Sequence, residues 1–276
     1  MSMPDLEELI ATARLETNKG NLPSYIPLLA NVDPQAIAIA ISSPSHAMQI
    51  AGAHHLTFPL MSAVKPFLLL YLLELLGSDR LLQLVDRQAS PLPFNTIPIG
   101  KPPNPMLNCG AIALCSLLDR AQDLQAWLNQ QSGANLSIDQ AMLDSVRSVS
   151  HRRNLEITAQ LHKSGIIDHP DHALAVYEEI CCLRGDVKDL AKIGSLLIAS
   201  QVPNIATVLE IMINCGMYET SAAFAQEMGL PAKSSISGAI LAIAPQRMAI
   251  ACYSPALDSV GHSVAGMYLL RQVLKV

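Results

Sequence analysis

Strand-forming and helix-forming stretches are segregated along this chain in a way that leaves few architectures open. Ala36 to Ser42 and Ala47 to Ala51 read as two short strands joined through Ser43-Pro44-Ser45, a β-hairpin with a longer loop. Strand character returns only near the other end, in Ser237 to Ala244 and Arg247 to Ser254, which the tight Pro245-Gln246 turn separates. Between them, residues 108–201 hold helical runs and no convincing strand: Ala111 to Leu118, Asp123 to Gln130, Ile138 to Leu143, Arg153 to Lys163, His172 to Cys182 and Val187 to Ala199. Further helices are expected at the N-terminus, from Ser62 to Leu76 and from Ser263 to Lys275. The two strand pairs form a single sheet only if the chain returns after its helical excursion, and the terminal helices then cover one face. The fold class expected is α/β in the α+β sense: an antiparallel sheet built from N- and C-terminal segments and flanked by helices, plus a central all-helical subdomain. No repeat, low-complexity tract or linker divides the sequence, so one domain spanning residues 1–276 is expected.

Half of the residues are hydrophobic and 15% are charged, which excludes disorder, and a formal net charge of -5 provides no basic footprint for nucleic acid or an anionic membrane. A small soluble molecule is the partner such a surface favours. The most apolar stretch, Phe67 to Leu76, falls well short of the roughly 20 residues a membrane span needs. Met1 to Gly20 carries Asp5, Glu7, Glu8 and Glu16 and lacks a basic segment followed by an apolar one, so a cytoplasmic location is expected. The six cysteines, at 109, 115, 181, 182, 215 and 252, show no C-x-x-C spacing and read as buried thiols. His169-Pro170-Asp171-His172 reads as a loop and helix start rather than as metal ligands, and neither a metal nor a cofactor is expected.

Ser62-Ala63-Val64-Lys65 is a Ser-x-x-Lys motif at an expected helix start. A serine hydroxyl is a poor nucleophile at neutral pH, and a lysine one turn along can take its proton if desolvation lowers the amine's pKa. The same four residues also read as an N-capping serine and a surface lysine. Lys233-Ser234-Ser235 stands just before the C-terminal hairpin, where the penicillin-recognising serine enzymes place Lys-Thr-Gly beside the nucleophile. A strand there can offer backbone N–H groups to a developing oxyanion.

Several ordered blocks resemble the serine-dependent glutaminases, from about residue 20 to 269. They are Gly20-Asn21-Leu22-Pro23-Ser24-Tyr25-Ile26-Pro27, Phe94-Asn95-Thr96-Ile97, Asn104-Pro105-Met106-Leu107-Asn108-Cys109-Gly110-Ala111-Ile112, Cys215-Gly216-Met217-Tyr218, Gly229-Leu230-Pro231-Ala232-Lys233-Ser234 and Ser254-Pro255-Ala256-Leu257-Asp258 with Gly261-His262-Ser263. The resemblance implies a β-lactamase/transpeptidase-like fold and hydrolysis of glutamine to glutamate and ammonia through an acyl-enzyme. It implies that Ser62 attacks the side-chain amide carbon, that Lys65 takes its proton, and that Tyr25 and Tyr218 lie beside the nucleophile. Asn108, Asn154 and Tyr177 match substrate-holding positions, and the backbone N–H groups of Ser62 and Ile236 would form the oxyanion hole. A homodimer or homotetramer is implied as well. Read alone, each residue has a plain alternative: Asn108 as a helix cap, Tyr177 as core, Tyr218 as a turn residue, Tyr25 packed under Pro23 and Pro27.

The departures from that pattern gather near the proposed site. Gln-Ser-Ile-Ser-Lys of the family is Met61-Ser62-Ala63-Val64-Lys65, followed by Pro66; Lys-Ser-Gly-Val-Gly-Gly-Gly is Lys233-Ser234-Ser235-Ile236-Ser237-Gly238-Ala239; and Gly-Asn-Ser is Gly261-His262-Ser263. The family's acid for the substrate α-ammonium, seven residues before Asn154, falls on Arg147, with Asp144 reachable through a local insertion. An arginine fork suits a carboxylate and opposes an ammonium. Three readings follow from the sequence: a glutaminase, an amidase for a substrate with an added carboxylate, and a homologue without turnover that binds a ligand or partner.

Overall fold

The strand from residue 38 shows how the sheet acquires two faces. Side chains alternate across a strand, so Ile37, Ile39 and Ile41 enter one apolar cluster while Ala36, Ala38 and Ala40 enter another on the opposite side. In the computed structural model, which describes residues 5–88, 102–149 and 152–275, both faces are covered by helices. The elements run α1 (Leu6–Ala13), β1 (Ala38–Ser43), β2 (His46–Gly52), β3 (Phe58–Pro59), α2 (Lys65–Leu76), α3 (Ser78–Leu81), α4 (Asn108–Cys115), α5 (Ala121–Ser132), β4 (Ser137–Ile138) and α6 (Gln140–Ser148). They continue with α7 (Arg152–Lys163), α8 (Pro170–Cys181), β5 (Leu183–Gly185), α9 (Val187–Ser195), α10 (Pro203–Cys215), α11 (Ser221–Met228), β6 (Ala232–Ser234), β7 (Ala239–Ala244), β8 (Met248–Tyr253) and α12 (Val264–Leu274).

The main sheet has the order β2-β1-β8-β7-β6 and is antiparallel throughout. Its central pairing joins the two ends of the chain, with Ala38 opposite Tyr253 and Ile41 opposite Ile250. Leu6 and Ile10 of α1 and Leu269, Leu270 and Val273 of α12 bury against the isoleucine face. Helix α9 takes the alanine face, where a Cβ on Gly194 would stand 2.7 Å from Leu241 and 3.0 Å from the Ala249 Cβ. Small residues on both partners let the helix lie close to the sheet.

Two expectations from the sequence need correction. The central region is not all-helical: β4 and β5 pair with β3 in a second, three-stranded sheet. Strands of two and three residues are too short for an alternating pattern to register. The helical part also runs beyond residue 201, through α10 and α11 to Met228. The small sheet positions the Ser62 turn: β3 and the hydrogen bond from Leu60 N–H to the Leu183 carbonyl (2.7 Å) anchor the backbone entering it. Among the described residues no helix is long and apolar enough to cross a membrane.

Candidate active site

Met61–Val64 form one 3₁₀ turn that runs directly into α2, so the helix expected from Ser62 begins three residues later. Pro66 sits in the first turn of α2, where N–H groups lack intrahelical partners in any case. Met61 has φ +45°, a left-handed conformation that costs a non-glycine residue on the order of 1 kcal/mol and persists only where neighbours hold it. Ser235 supplies one hold by donating its hydroxyl to the Leu60 carbonyl at 2.8 Å. Here a serine in place of the glycine of the glutaminase pattern ties the strand end to the Ser62 turn. Ser235 does not have a positive φ, whereas Gly238 at +91° keeps its glycine.

Lys65 opens α2 one turn after Ser62 and is fully buried. Its ammonium donates to the Asn108 Oδ1 at 2.8 Å and to the Met106 carbonyl at 3.2 Å, and it lies 5.8 Å from the centre of the Tyr177 ring. Those acceptors are neutral oxygens, so burial dominates and lowers the amine's pKa to about 8. Residues 104–110, a loop running into the first turn of α4, present both acceptors. A Cβ on Gly110 would come 2.0 Å from the Asn104 carbonyl, while the Asn104 side chain accepts the Met106 N–H at 2.8 Å. Asn108 in turn donates to the Asn154 Oδ1 at 3.1 Å.

Tyr218 reaches Ser62 from the other side. It follows α10 at φ +49°, and its phenol oxygen hydrogen-bonds the Ser62 side chain and donates to the Ser234 carbonyl at 3.2 Å. Burial pushes the phenol's pKa up, so it stays protonated, with the Ser62 hydrogen bond acting in the opposite direction. Beneath the ring, 4.4 Å from its centre, lies the buried Lys233 ammonium, which donates to the carbonyls of Gly216 (3.1 Å) and Ser234 (2.6 Å). Burial first, and the charge of Lys65 second, hold the Lys233 amine well below the ordinary lysine range. On the ring's other contact, His262 stacks at 5.4 Å between ring centres and 10° between planes. Its Nδ1 meets the Ser234 hydroxyl and its Nε2 the Thr220 hydroxyl, both at 2.8 Å. The histidine that replaces the family's asparagine thus braces the tyrosine that touches Ser62.

Ser62 opens into a cavity of about 370 Å³. Tyr25, Asn108, Asn154, Tyr177 and Ile236 line it with Ser62, while Lys65 and Tyr218 stand behind the serine. Tyr25 is at the rim, 55% exposed, and Tyr177 is buried in the wall. The N–H groups of Ser62 and Ile236 meet no acceptor among the described residues, which suits a pair of donors awaiting a ligand oxygen. Arg147 does not line the cavity. Its Nε lies 3.0 Å from the Glu178 carboxylate and a terminal nitrogen 3.7 Å from Glu179, both on α8. Asp144 is exposed and accepts from Gln140, so it does not enter either. Phe94-Asn95-Thr96-Ile97 lies outside the described residues.

The family model for glutaminases matches residues 20–276. The chain belongs to the glutaminase family. The glutaminase of Synechocystis is 40% identical, over 95% of this chain and 85% of that relative. Among solved structures, the probable glutaminase ybaS superposes with a TM-score of 0.90 at 30% identity, covering 98% of this chain and 96% of the other. The Bacillus subtilis glutaminase YbgJ, in a covalent complex with 5-oxo-L-norleucine formed by reaction with 6-diazo-5-oxo-L-norleucine, gives a TM-score of 0.88 at 25% identity and covers 98% and 96% of the two chains.

Within this glutaminase fold, sequence reasoning missed the two charged lining residues, Glu178 and Arg153, as well as apolar ones such as Val146 and Val149. Glu178 follows Tyr177 on α8, and its one available signal was a pair of acids, Glu178-Glu179, after the apolar run Ala173 to Val176. The six cysteines are free and buried, as expected. His172 donates its Nε2–H to the Leu118 carbonyl at 2.8 Å, and no group of three or more potential metal ligands occurs among the described residues.

Proposed function

We propose that the chain hydrolyses the side-chain amide of L-glutamine to L-glutamate and ammonia through an acyl-enzyme on Ser62. The observation that carries this is a serine at the floor of a cavity of about 370 Å³, flanked by a fully buried lysine with a pKa near 8 and by a hydrogen-bonded phenol. At pH 7 a pKa of about 8 leaves roughly one amine in ten neutral and able to accept a proton, against about one in three thousand for an ordinary lysine. Ser62 attacks the amide carbon while its proton leaves toward Lys65, with the Tyr218 oxygen as the contact already made. The N–H groups of Ser62 and Ile236 receive the developing oxyanion. Collapse needs a proton on the departing nitrogen, which Tyr218 and protonated Lys65 are placed to give, and water then repeats the sequence on the ester. Asn108, Asn154 and Tyr177 hold the substrate, and Tyr25 closes the rim.

Arg147 motivated the alternative of a carboxylate-bearing substrate, and its engagement with Glu178 and Glu179 removes that motive. The working enzyme is a cytoplasmic homo-oligomer in this reading. The test is ammonia release from glutamine, with mass-spectrometric detection of 6-diazo-5-oxo-L-norleucine attached to Ser62. Ser62→Ala should abolish both, and release that survives the substitution would sink the mechanism.

A further inference from the structure

We infer that His262 is a positioning residue for Tyr218, working as a neutral ring with its proton on Nε2, and that its protonation in mild acid releases Tyr218 and slows reaction at Ser62. The inference rests on the glutamine reading above and adds to it a residue behind the cavity wall, where the glutaminase pattern has asparagine. Hydrogen bonds fix the tautomer. The Thr220 hydroxyl donates to the Met217 carbonyl at 2.8 Å, so toward His262 Nε2, also at 2.8 Å, it can only accept. Nε2 therefore carries a proton. In the neutral ring Nδ1 is then the acceptor, and the Ser234 hydroxyl donates to it at 2.8 Å. Ser234 is fully buried, and this is the one hydrogen bond its hydroxyl makes among the described residues.

The Ser234 carbonyl takes the Tyr218 phenol proton at 3.2 Å, which leaves the phenol oxygen to accept from Ser62. A directed chain thus runs from Ser62 through Tyr218 to the backbone of Ser234, whose side chain His262 holds, and the imidazole also stacks on the Tyr218 ring. His262 is itself fixed. Asp258 Oδ1 accepts the N–H groups of Val260, Gly261 and His262 at 2.9 Å each, and Ser263 caps α12 directly afterwards. Protonation turns Nδ1 from acceptor into donor. The Ser234 hydroxyl proton then loses its acceptor where solvent does not reach, and a second cation stands against the Tyr218 ring that Lys233 already contacts. The titratable groups facing His262 are Tyr218 and Glu219 in the 3₁₀ turn 218–220, Lys233 on β6 and Asp258 in the loop before α12. Burial chiefly, opposed by Asp258 and Glu219 and aided by Lys233, lowers the ring's pKa, so it is neutral at pH 7.

The experiment compares the full-length protein with His262→Asn and His262→Ala in ammonia release from L-glutamine over roughly pH 4.5–8. The ratio of wild-type to H262N kcat cancels Lys65 and every other ionisation the two share. It should be level near neutral pH and fall by up to about tenfold per pH unit below the histidine's midpoint, which lies under about 6.5, with KM alike in the two proteins. H262A, which makes neither hydrogen bond, should lower kcat roughly tenfold near neutral pH, and H262N should recover part of that loss. In ¹⁵N-histidine-labelled protein, the His262 signals, identified by their absence from H262N, should show the Nε2–H tautomer and titrate with the midpoint of the ratio. A ratio that stays flat with pH, a ring charged or protonated on Nδ1 at neutral pH, or an H262A protein with unchanged kcat overturns the inference. Labelling of Ser62 by 6-diazo-5-oxo-L-norleucine is timed over the same pH range. Ammonia release with flat ratios in both assays refutes the role of His262 alone, whereas a labelling ratio that falls in acid without any ammonia release supports that role and refutes the glutamine reading.

Discussion

Replacing Lys65 by methionine should make the protein more stable near neutral pH and less stable at high pH, while abolishing turnover. A fall in pKa from 10.5 to about 8 corresponds, at about 1.4 kcal/mol per tenfold, to about 3 kcal/mol. Its sign follows from which state binds the proton. Above pH 10.5 the amine is neutral in both folded and unfolded chains, and no penalty arises. As the pH drops from there, the unfolded lysine protonates first, and folding loses about 1.4 kcal/mol per pH unit until the folded amine protonates near pH 8. Below that the full cost of about 3 kcal/mol persists. Methionine removes the cost but also removes the donor to Asn108 Oδ1 and the Met106 carbonyl, each worth about 1 kcal/mol. The balance is a gain of about 1 kcal/mol at pH 7 and a loss of about 2 kcal/mol at pH 10.5. Urea unfolding of both proteins over this range measures it, and the difference between them should swing by about 3 kcal/mol. A difference that does not vary with pH would refute a folded-state pKa for Lys65 lowered to about 8. In the native enzyme the same quantity should appear as a rising limb of kcat with a midpoint near pH 8.

Tyr218→Phe removes the oxygen that touches Ser62 and Ser234 and should lower kcat for ammonia release by roughly 10²- to 10⁴-fold with KM within a few-fold; an unchanged kcat would exclude the phenol from proton transfer. Ser235→Ala deletes the hydroxyl bound to the Leu60 carbonyl, and chemical denaturation should register a loss of about 1 kcal/mol. Gly216→Ala would put a Cβ 1.8 Å from the Ala232 carbonyl, and a loss of at least about 2 kcal/mol with displacement of Tyr218 is expected, seen as a lower thermal midpoint together with reduced kcat.

The sequence by itself determined that the two ends of the chain share one sheet, because isoleucine and alanine alternate there and nowhere in the middle, and alternation is a local property of strand geometry. It also determined the residue types at the site, since Ser-x-x-Lys at a helix start and the Asn108, Tyr177 and Tyr218 blocks are readable as ordered motifs. What it could not determine is how charges meet across elements. Arg147 looked like a cavity residue because counting along the chain assigns a position but no direction, and α6 turns its guanidinium toward α8 instead. Ser235, His262 and Glu178 looked like departures or went unnoticed, yet each acts through a partner far away in sequence: Leu60, Thr220 and Arg147 respectively. The lowered pKa of Lys65 belongs to the same class. Burial is a sum over every element surrounding the amine, so only the folded chain can set it.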